Sequence, residues 1–158
     1  MTAQNKRLIE ITLDDASIGR GTPDQEHERE IAIYDLIEDN RFALVGHDGG
    51  PYTLLLALHD AKLAFDIRDD GGATIVTHIL SLTPFRKILK DYFMVCESYY
   101  DAIKTSSPAQ IEAIDMGRRA LHNEGAAMLA ERLAEHADLD HNTARRLFTL
   151  LCVLHMRG

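Results

Sequence analysis

The chain has 158 residues, a formal net charge of −8 and a hydrophobic share of 46%, which fits one soluble domain with a sizeable core over residues 1–158. This acidity makes nucleic acid and anionic membranes poor candidate partners, because Lys and Arg side chains dominate binding to phosphates. No apolar segment typical of a secretory signal lies near the start, and no run of about 18 apolar residues predicts a membrane span. We therefore expect a cytoplasmic protein.

A strand and a helix are predicted first. Residues 8–13 alternate in polarity, which predicts a strand with one buried face made by Ile9, Ile11 and Leu13. In "GTPDQEHER", Thr22 is a capping residue, Pro23 fits the first helical turn, and Gln25 completes a capping box. We expect the helix that starts there to end near residue 39 and to bury Ile31, Tyr34 and Ile37.

Four further strands are predicted between the first helix and residue 81. They are separated by turn sequences such as "GHDGGP" and "DDGG" and cover residues 41–45, 52–59, 62–68 and 73–81. Because the connections are short, we expect antiparallel neighbours in a meander.

The chain turns helical from Thr83 onward. A long apolar stripe predicts a helix to about Lys104, which we expect to be the central helix on the sheet. A second helix is predicted over about 109–136, and a third begins after Asp140, which caps it together with Thr143. The third helix is apolar nearly all round, so either it is buried or part of it meets a second subunit.

These elements predict an α+β fold. Its antiparallel sheet has about four to five strands, and the helical C-terminal half packs on one face of that sheet.

Cys96 and Cys152 lie in apolar helical stretches without metal-ligand spacing, which is typical of reduced core residues.

The helix predicted over 109–136 places polar residues on its apolar stripe. At about 100° per residue, Arg118, His122 and Gly125 fall among the large apolar side chains. An Arg side chain keeps its charge, so Arg118 needs a carboxylate, a bound anion or access to water.

Three interpretations of Arg118 stay open. It pairs with Asp115, one turn earlier, or with an acid from the strands. Alternatively, it forms with Arg119 and His122 a pocket for an anionic ligand, with Gly125 leaving room. In the third interpretation the helix bends at a glycine and the stripe changes. The candidate ligand-binding residues are Asp115, Arg118, Arg119 and His122.

The loop "VGHDGGPY" holds the other candidates. His47 and Asp48 are titratable residues beside two glycines, and together with His122 they are candidate catalytic residues. The alternative is a plain turn, in which the glycines supply positive φ angles. We predict no metal site and no cofactor, because the histidines lack the sequence spacing of metal ligands. His59 and His78 lie on neighbouring predicted strands, but nothing in the sequence requires them to pair.

Long segments of the chain resemble the uncharacterised alphaproteobacterial protein family UPF0262. They include "VGHDGGPY", "SLTPFRKILKDYF", "CESYYDAI", "IEAIDMGRRALHNEGA" and "TARRLFTLLCVLH", and the similarity extends from "SIGRGTPDQEHER" to the last helix. The resemblance implies small, soluble, cytoplasmic single-domain proteins. It implies no activity, so no residue role is carried over.

Three functional hypotheses remain, and the weakest is a nucleic-acid accessory role in which Tyr99, Tyr100 and the Arg-Arg pairs at 118–119 and 145–146 form a stacking and phosphate-binding surface. The leading one is a non-enzymatic cytoplasmic homo-oligomer, such as a homodimer, that binds a protein partner or senses a small anionic ligand. The alternative is a small hydrolase or transferase, in which His47 and Asp48, or His122, move protons while Arg118 or Arg119 holds an anionic substrate. This alternative requires the "GHDGG" loop to lie within reach of the "RRALHNE" helix.

Overall fold

The structure is a computed structural model and describes residues 5–155. In chain order its elements are β1 (Leu8–Leu13), α1 (Asp15–Ile18), α2 (Pro23–Glu38), β2 (Phe42–Leu44), β3 (Tyr52–His59), β4 (Lys62–Asp69), β5 (Thr74–Ser81), a 3₁₀ turn (Thr83–Phe85), α3 (Arg86–Thr105), α4 (Pro108–Leu133), β6 (Ala137–Leu139) and α5 (His141–His155). The predicted α+β class is confirmed. Two short elements, α1 and β6, were not predicted.

The strands form two sheets rather than one. The larger sheet has the order β1-β3-β4-β5, and its β3-β4-β5 part is the expected antiparallel meander. β1 pairs with β3 in parallel, so the sheet is mixed. β2 lies outside this sheet and pairs antiparallel with β6. The expectation that residues 41–45 belong to the meander is therefore wrong, because the connection over 45–51 leads the chain away from β2.

The buried face of β1 differs from the predicted one. Leu8 and Ile11 are buried, whereas Ile9 is exposed and Leu13 is only half-buried. The pairing with β3 is irregular between Leu8 and Glu10. Such an irregularity shifts the alternation of side chains between the two faces.

The start of α2 is confirmed and its buried face is corrected. Thr22 and Gln25 form the predicted capping box. Ala32 and Leu36 face the core, whereas Ile31 and Tyr34 are exposed and Ile37 is half-buried. Apolar side chains lie on both sides of α2. Those on the side that packs against β1 and α5 are the buried ones.

The central helix is α5 rather than α3. α5 contacts both α2 and α4, whereas α3 packs mainly against α4. Leucines of α4 and α5 meet the sheet around a small internal space lined by Leu56, Leu63, Phe65, Leu129, Leu147, Leu150, Leu151 and Leu154. Most apolar residues of the last helix are buried in the core, as one of the two interpretations expected, whereas Val153 and Leu154 are half-buried. Contact of this helix with a second subunit stays a prediction.

The helix α4 runs without interruption through both of its glycines and ends at Leu133, slightly earlier than expected. Its buried residues include His122, Gly125 and Leu129, so the polar stripe faces the protein as predicted. Across residues 5–155, no helix is both long and apolar enough to cross a membrane.

Candidate anion-binding site

A cleft between α4 and α5 gathers arginines from both helices. It measures about 310 Å³, and we call it the arginine cleft. It is lined by Tyr92, Arg118, Arg119, His122, Asn142, Arg145, Arg146 and Thr149. Each helix contributes one Arg-Arg pair, and α3 contributes the tyrosine.

The two helices are fixed by their N-terminal caps. α4 begins after Ser107, whose hydroxyl accepts a hydrogen bond from the backbone of Gln110. α5 begins after Asp140, whose carboxylate accepts from the backbone N–H of Thr143 at 2.9 Å. The Thr143 hydroxyl in turn accepts from the backbone of Arg41 at 2.8 Å. These bonds hold the first turns of α5 in place beside the middle of α4.

Gly125 lets α5 approach α4 under the cleft. Phe148 is fully buried, and a Cβ atom at Gly125 would lie 2.2 Å from its Cζ. The Phe148 ring also packs edge-on against His122, with the ring centroids 5.3 Å apart. The glycine therefore supports the cleft through helix packing, because no larger residue fits against this ring.

Asp115 and Asp39 neutralise part of the cleft's charge. Asp115 Oδ1 accepts from Arg118 Nε at 3.0 Å, and its Oδ2 lies 3.2 Å from Arg119 Nε. Arg146 contacts the backbone carbonyl of Asp39 and lies 3.7 Å from its carboxylate. Within residues 5–155, three of the four cleft arginines thus contact an acid.

Arg145 is the exception among the cleft arginines. It is half-buried and forms no ion pair with any residue between 5 and 155. Its Nε is buried and has no hydrogen-bond partner there. Leaving a buried donor unsatisfied costs about 1–3 kcal/mol, so this side chain is an available donor.

His122 is neutral at physiological pH. Burial, together with the charges of Arg145 and Arg118, lowers the pKa of His122 to about 4. Its Nε2 lies 2.8 Å from the hydroxyl of Thr149, and its buried Nδ1 has no partner in the described part of the chain. The cleft therefore holds a second unsatisfied polar atom.

Two tyrosines of α3 support the cleft. The Arg118 guanidinium lies over the Tyr99 ring, 4.8 Å from its centroid, which is a cation–π contact. Burial works to lower the pKa of Arg118, but the hydrogen bond and charge of Asp115 outweigh it and raise that pKa. Burial also raises the pKa of Tyr92 to about 12, so this phenol stays protonated.

The structure brings the predicted site residues of α4 together at one cleft and places the predicted loop residues, His47 and Asp48, away from that cleft. Arg118, Arg119 and His122 line the arginine cleft, and Asp115 pairs with both arginines. The "GHDGG" loop lies beside the residues that follow α4, where Val45 N–H donates to the His136 carbonyl at 2.9 Å. About 16 Å of helix separates His122 from the end of α4. The proximity that the enzymatic alternative requires is therefore absent.

The polar groups of the loop find partners inside the protein. His47 Nδ1 and the Tyr52 hydroxyl are hydrogen-bonded at 3.0 Å, and Asp48 lies 3.9 Å from Lys6 Nζ. Nearby, the rings of His78 and His136 stack with centroids 3.8 Å apart. Burial and the charge of His136 lower the pKa of His78.

His78 thus stacks on a histidine that follows α4, and His59 lies opposite Lys62 in the turn between β3 and β4. Throughout residues 5–155, no group of three or more His, Cys, Asp or Glu side chains is arranged to hold a metal ion.

Sequence reasoning considered the Arg-Arg pair of α5 only as part of a nucleic-acid-binding surface and did not place it in the anion pocket at Arg118. Arg145 and Arg146 repeat the Arg-Arg pair of α4, and Thr149 follows Arg145 by one turn. That repeated pair was the available signal. It was not decisive, because the sequence does not show which helices are neighbours.

Comparisons with known proteins agree along the whole chain. A family model described as "Uncharacterised protein family (UPF0262)" matches residues 5–157. A protein of Rhizobium etli is 60% identical over 158 residues and is covered completely, as is this chain. One from Rhizobium meliloti is 63% identical over 155 residues, which is 98% of each chain. One from Agrobacterium fabrum is 60% identical over 158 residues, again with full coverage. All three carry the name UPF0262 protein. No solved structure matches the chain significantly.

Proposed function

Since the chain belongs to UPF0262, a family whose description states no activity, we propose its function from the chemistry of its own cleft. The protein binds a small anionic ligand in the arginine cleft and works as a ligand-sensing protein rather than as an enzyme. This proposal extends the sequence-based hypothesis of an anion pocket at Arg118 to a site built from two helices.

The observation that carries the proposal is the state of Arg145. Its guanidinium lies in the cleft without an acidic partner in residues 5–155, and its buried Nε has no acceptor. The other three arginines of the cleft contact Asp115 or Asp39. A bound anion would give the half-buried Arg145 guanidinium the acidic partner that it lacks, and Arg is the side chain best suited to bind oxyanions.

The chemistry of His122 favours binding over proton transfer. A general base works best with a pKa near the operating pH, whereas burial and two arginines lower the pKa of His122 to about 4. At neutral pH such an imidazole is a weak base. Its Nε2 is also engaged by Thr149. In this proposal His122 therefore acts as a neutral hydrogen-bonding group of the cleft.

The proposal places the protein in the cytoplasm. Cys96 and Cys152 are free thiols, and burial raises the pKa of both. Unpaired core thiols are typical of proteins in reducing compartments.

Self-association stays a prediction. Its sequence basis was the apolar last helix, which the structure buries in the core. A second copy or another protein would instead use exposed apolar side chains of α3 and α4, namely Met94, Tyr100, Ile103 and Met116. Light scattering of the pure protein checks this, since a dimer has twice the monomer mass of 17.7 kDa.

Isothermal titration calorimetry with sulfate, orthophosphate, pyrophosphate and citrate tests the proposed function. The Arg145→Gln variant removes the unpartnered guanidinium. Arg132→Gln is the matched control, because Arg132 is exposed in the last turn of the same cleft helix, α4. We expect saturable binding of at least one of these anions to the wild type and to Arg132→Gln.

Arg145→Gln should bind that anion about ten-fold or more weakly, since hydrogen bonds to charged groups contribute about 1.5–3 kcal/mol. Circular dichroism verifies that each variant is folded. Failure of all four anions to bind the wild type, or equal binding by Arg145→Gln, would overturn the proposal.

A further inference from the structure

The arginine cleft also indicates the chemical class of its ligand. We infer that it takes a small molecule with two or more linked phosphoryl groups, such as pyrophosphate or a diphosphate ester, an inference that rests on the proposed anion-binding function. Three features carry it: the residual charge of the cleft, the arrangement of its donors, and its buried unpartnered nitrogens.

The residual charge requires a multiply charged ligand. Four guanidinium groups face the cleft, and two carboxylates, of Asp115 and Asp39, contact them. Four positive charges and two negative charges leave a local excess of about two positive charges. His122 adds none, because burial lowers its pKa to about 4. A single carboxylate or halide would leave half of this excess unmatched, whereas a diphosphate group would neutralise it.

The hydrogen-bond donors of the cleft lie on two helices, α4 and α5, and not in one plane. Arg118 and His122 lie one turn apart on α4, while Asn142, Arg145 and Thr149 lie on successive turns of α5. A carboxylate presents two oxygens in one plane and matches a single guanidinium fork. A phosphoryl group presents oxygens around a tetrahedral centre, so it can accept from both walls at once.

The row of donors along α5 is longer than one phosphoryl group. Asn142 and Thr149 are seven positions apart, which corresponds to about 10 Å along a helix. Two linked phosphoryl groups fill such a row better than one. The N-terminal turn of α5, where Asn142 lies, adds the favourable end of the helix dipole to this part of the cleft.

Two buried nitrogens of the cleft have no hydrogen-bond partner in the described chain. Only 9% of His122 is exposed, and its Nδ1 has no partner in the described chain. The hydroxyl of Thr149 has one proton, which goes either to the Arg145 carbonyl at 3.1 Å or to His122 Nε2 at 2.8 Å. In the second arrangement His122 Nδ1 carries its own proton and becomes a donor, like Arg145 Nε. In that arrangement each wall of the cleft carries one buried donor without a partner in the described chain.

A free small molecule fits the cleft better than a nucleic acid backbone. Each phosphodiester of a backbone carries one charge, and binding it depends on an extended basic surface. This chain has a net charge of −8, and the four arginines of the proposed site line a cleft of only about 310 Å³. The inference therefore commits to a small phosphorylated ligand.

Competition calorimetry at one pH and one ionic strength tests the class of ligand. The probes are pyrophosphate, ADP without metal, orthophosphate, citrate and a single-stranded oligonucleotide. We expect pyrophosphate or ADP to bind at least ten-fold more tightly than orthophosphate and citrate. The tighter of the two shows whether a free diphosphate or an ester is preferred.

Two Arg145 variants link the selectivity to the cleft. Arg145→Gln should abolish the preference for pyrophosphate over citrate. Arg145→Lys keeps the charge but not the planar fork, so it should retain part of the affinity, and Arg132→Gln should behave like the wild type. Retention of the full preference by Arg145→Gln would overturn the inference.

The outcomes separate this inference from the proposed function. Citrate binding as tightly as pyrophosphate would overturn the phosphoryl inference and leave anion binding intact. Tighter binding of the oligonucleotide than of any small probe would overturn it in favour of nucleic acid. If no anion binds, the proposed function and the inference fail together.

Discussion

Two regions beside α4 carry similar polar residues but use them differently. Near its middle, in the arginine cleft, Arg145 Nε and His122 Nδ1 have no hydrogen-bond partner within residues 5–155. Beyond the C-terminal end of α4, the "GHDGG" loop also holds titratable groups, but His47 is hydrogen-bonded to Tyr52. Both regions concentrate polar residues, but of the two it is the cleft that leaves buried nitrogens without a partner in the described residues, and the proposed anion site rests on that difference.

The glycines of the two regions also have different roles. Gly50 of the loop has a φ of 115°, and a Cβ there would lie 1.9 Å from the backbone oxygen of Asn5. Gly125 instead faces a side chain, the ring of Phe148. The loop glycine holds one backbone segment against another, whereas the helix glycine sets the spacing of the cleft walls.

Replacing Gly50 with Ala should have the most severe effect on stability. The new Cβ meets backbone in a conformation that L residues rarely adopt, so we expect a loss of about 3–4 kcal/mol in the free energy of unfolding. Urea denaturation measures it. Gly49→Ala is the control, since its Cβ meets only the His47 side chain. Equal stability of the two variants would contradict the structural role of this loop.

Acidification should destabilise the protein through the cleft. The pKa of His122 is about 4 in the folded protein, against an ordinary value of 6.5. Between these values the unfolded state binds a proton that the folded state excludes, so stability falls as the pH falls from 6.5 to 4. The groups that face His122 are Arg118, Arg145, Tyr92 and Thr149.

The contribution of His122 amounts to at most about 3 kcal/mol across that range. Urea denaturation at several pH values measures it in the wild type and in His122→Gln, which should show a shallower dependence. His141→Gln, at an exposed histidine in the first turn of α5, is the control and should follow the wild type. The lowered pKa of His78 contributes in the same direction in all three proteins. Identical slopes for His122→Gln and the wild type would contradict a neutral, buried His122.

A methyl group at Gly125 should push the cleft walls apart. The new Cβ would overlap the ring of the fully buried Phe148, which would have to shift within the core, and overpacking of a core costs about 1–3 kcal/mol. Gly125→Ala should therefore destabilise the protein in thermal melts and weaken pyrophosphate binding. Gly117→Ala, with open space around its Cβ on the same helix, should be neutral or slightly stabilising, because Ala is the better helix former. A neutral Gly125→Ala would contradict the close packing of α4 and α5.

Neutralising Asp115 should have the smallest effect, in the opposite direction. Its carboxylate contacts both Arg118 and Arg119 and competes with a bound anion for them. We expect Asp115→Asn to bind pyrophosphate about three-fold more tightly, which is typical of a partly exposed ion pair. Glu112→Gln, at an exposed position one turn earlier, should leave the affinity unchanged. Weaker binding by Asp115→Asn would show that Asp115 positions the arginines instead of competing for the anion.

Local patterns predicted most of the fold. The capping signals of Thr22, Pro23 and Asp140 gave the starts of α2 and α5 because caps depend on neighbouring residues alone. Contacts between distant segments were harder to predict. The pairing of β2 with β6 and the parallel pairing of β1 join segments far apart in sequence, and no local pattern encodes them.

The candidate site was predicted to the extent that one helix defines it. The periodicity of α4 placed Arg118 and His122 on its inner face, and the structure places them there. Arg145 required knowledge of which helix lies opposite, and the sequence favoured α3 over α5 as the central helix. The loop around His47 was attractive as a site because its residue types are reactive, but the sequence does not show that His47 bonds to Tyr52 or that Asp48 lies beside Lys6.

The most direct test of the account is an NMR titration that follows arginine Nε–H signals as pyrophosphate is added. Arg145 and Arg29 both have a buried Nε without a hydrogen-bond partner in the described chain. However, Arg29 lies in α2 and is paired with Glu26 at 2.9 Å, so it serves as an internal control. The account predicts a saturable shift of the Arg145 signal and an unchanged Arg29 signal. Shifts confined to exposed arginines, or equal shifts of Arg29 and Arg145, would contradict a specific anion site between α4 and α5.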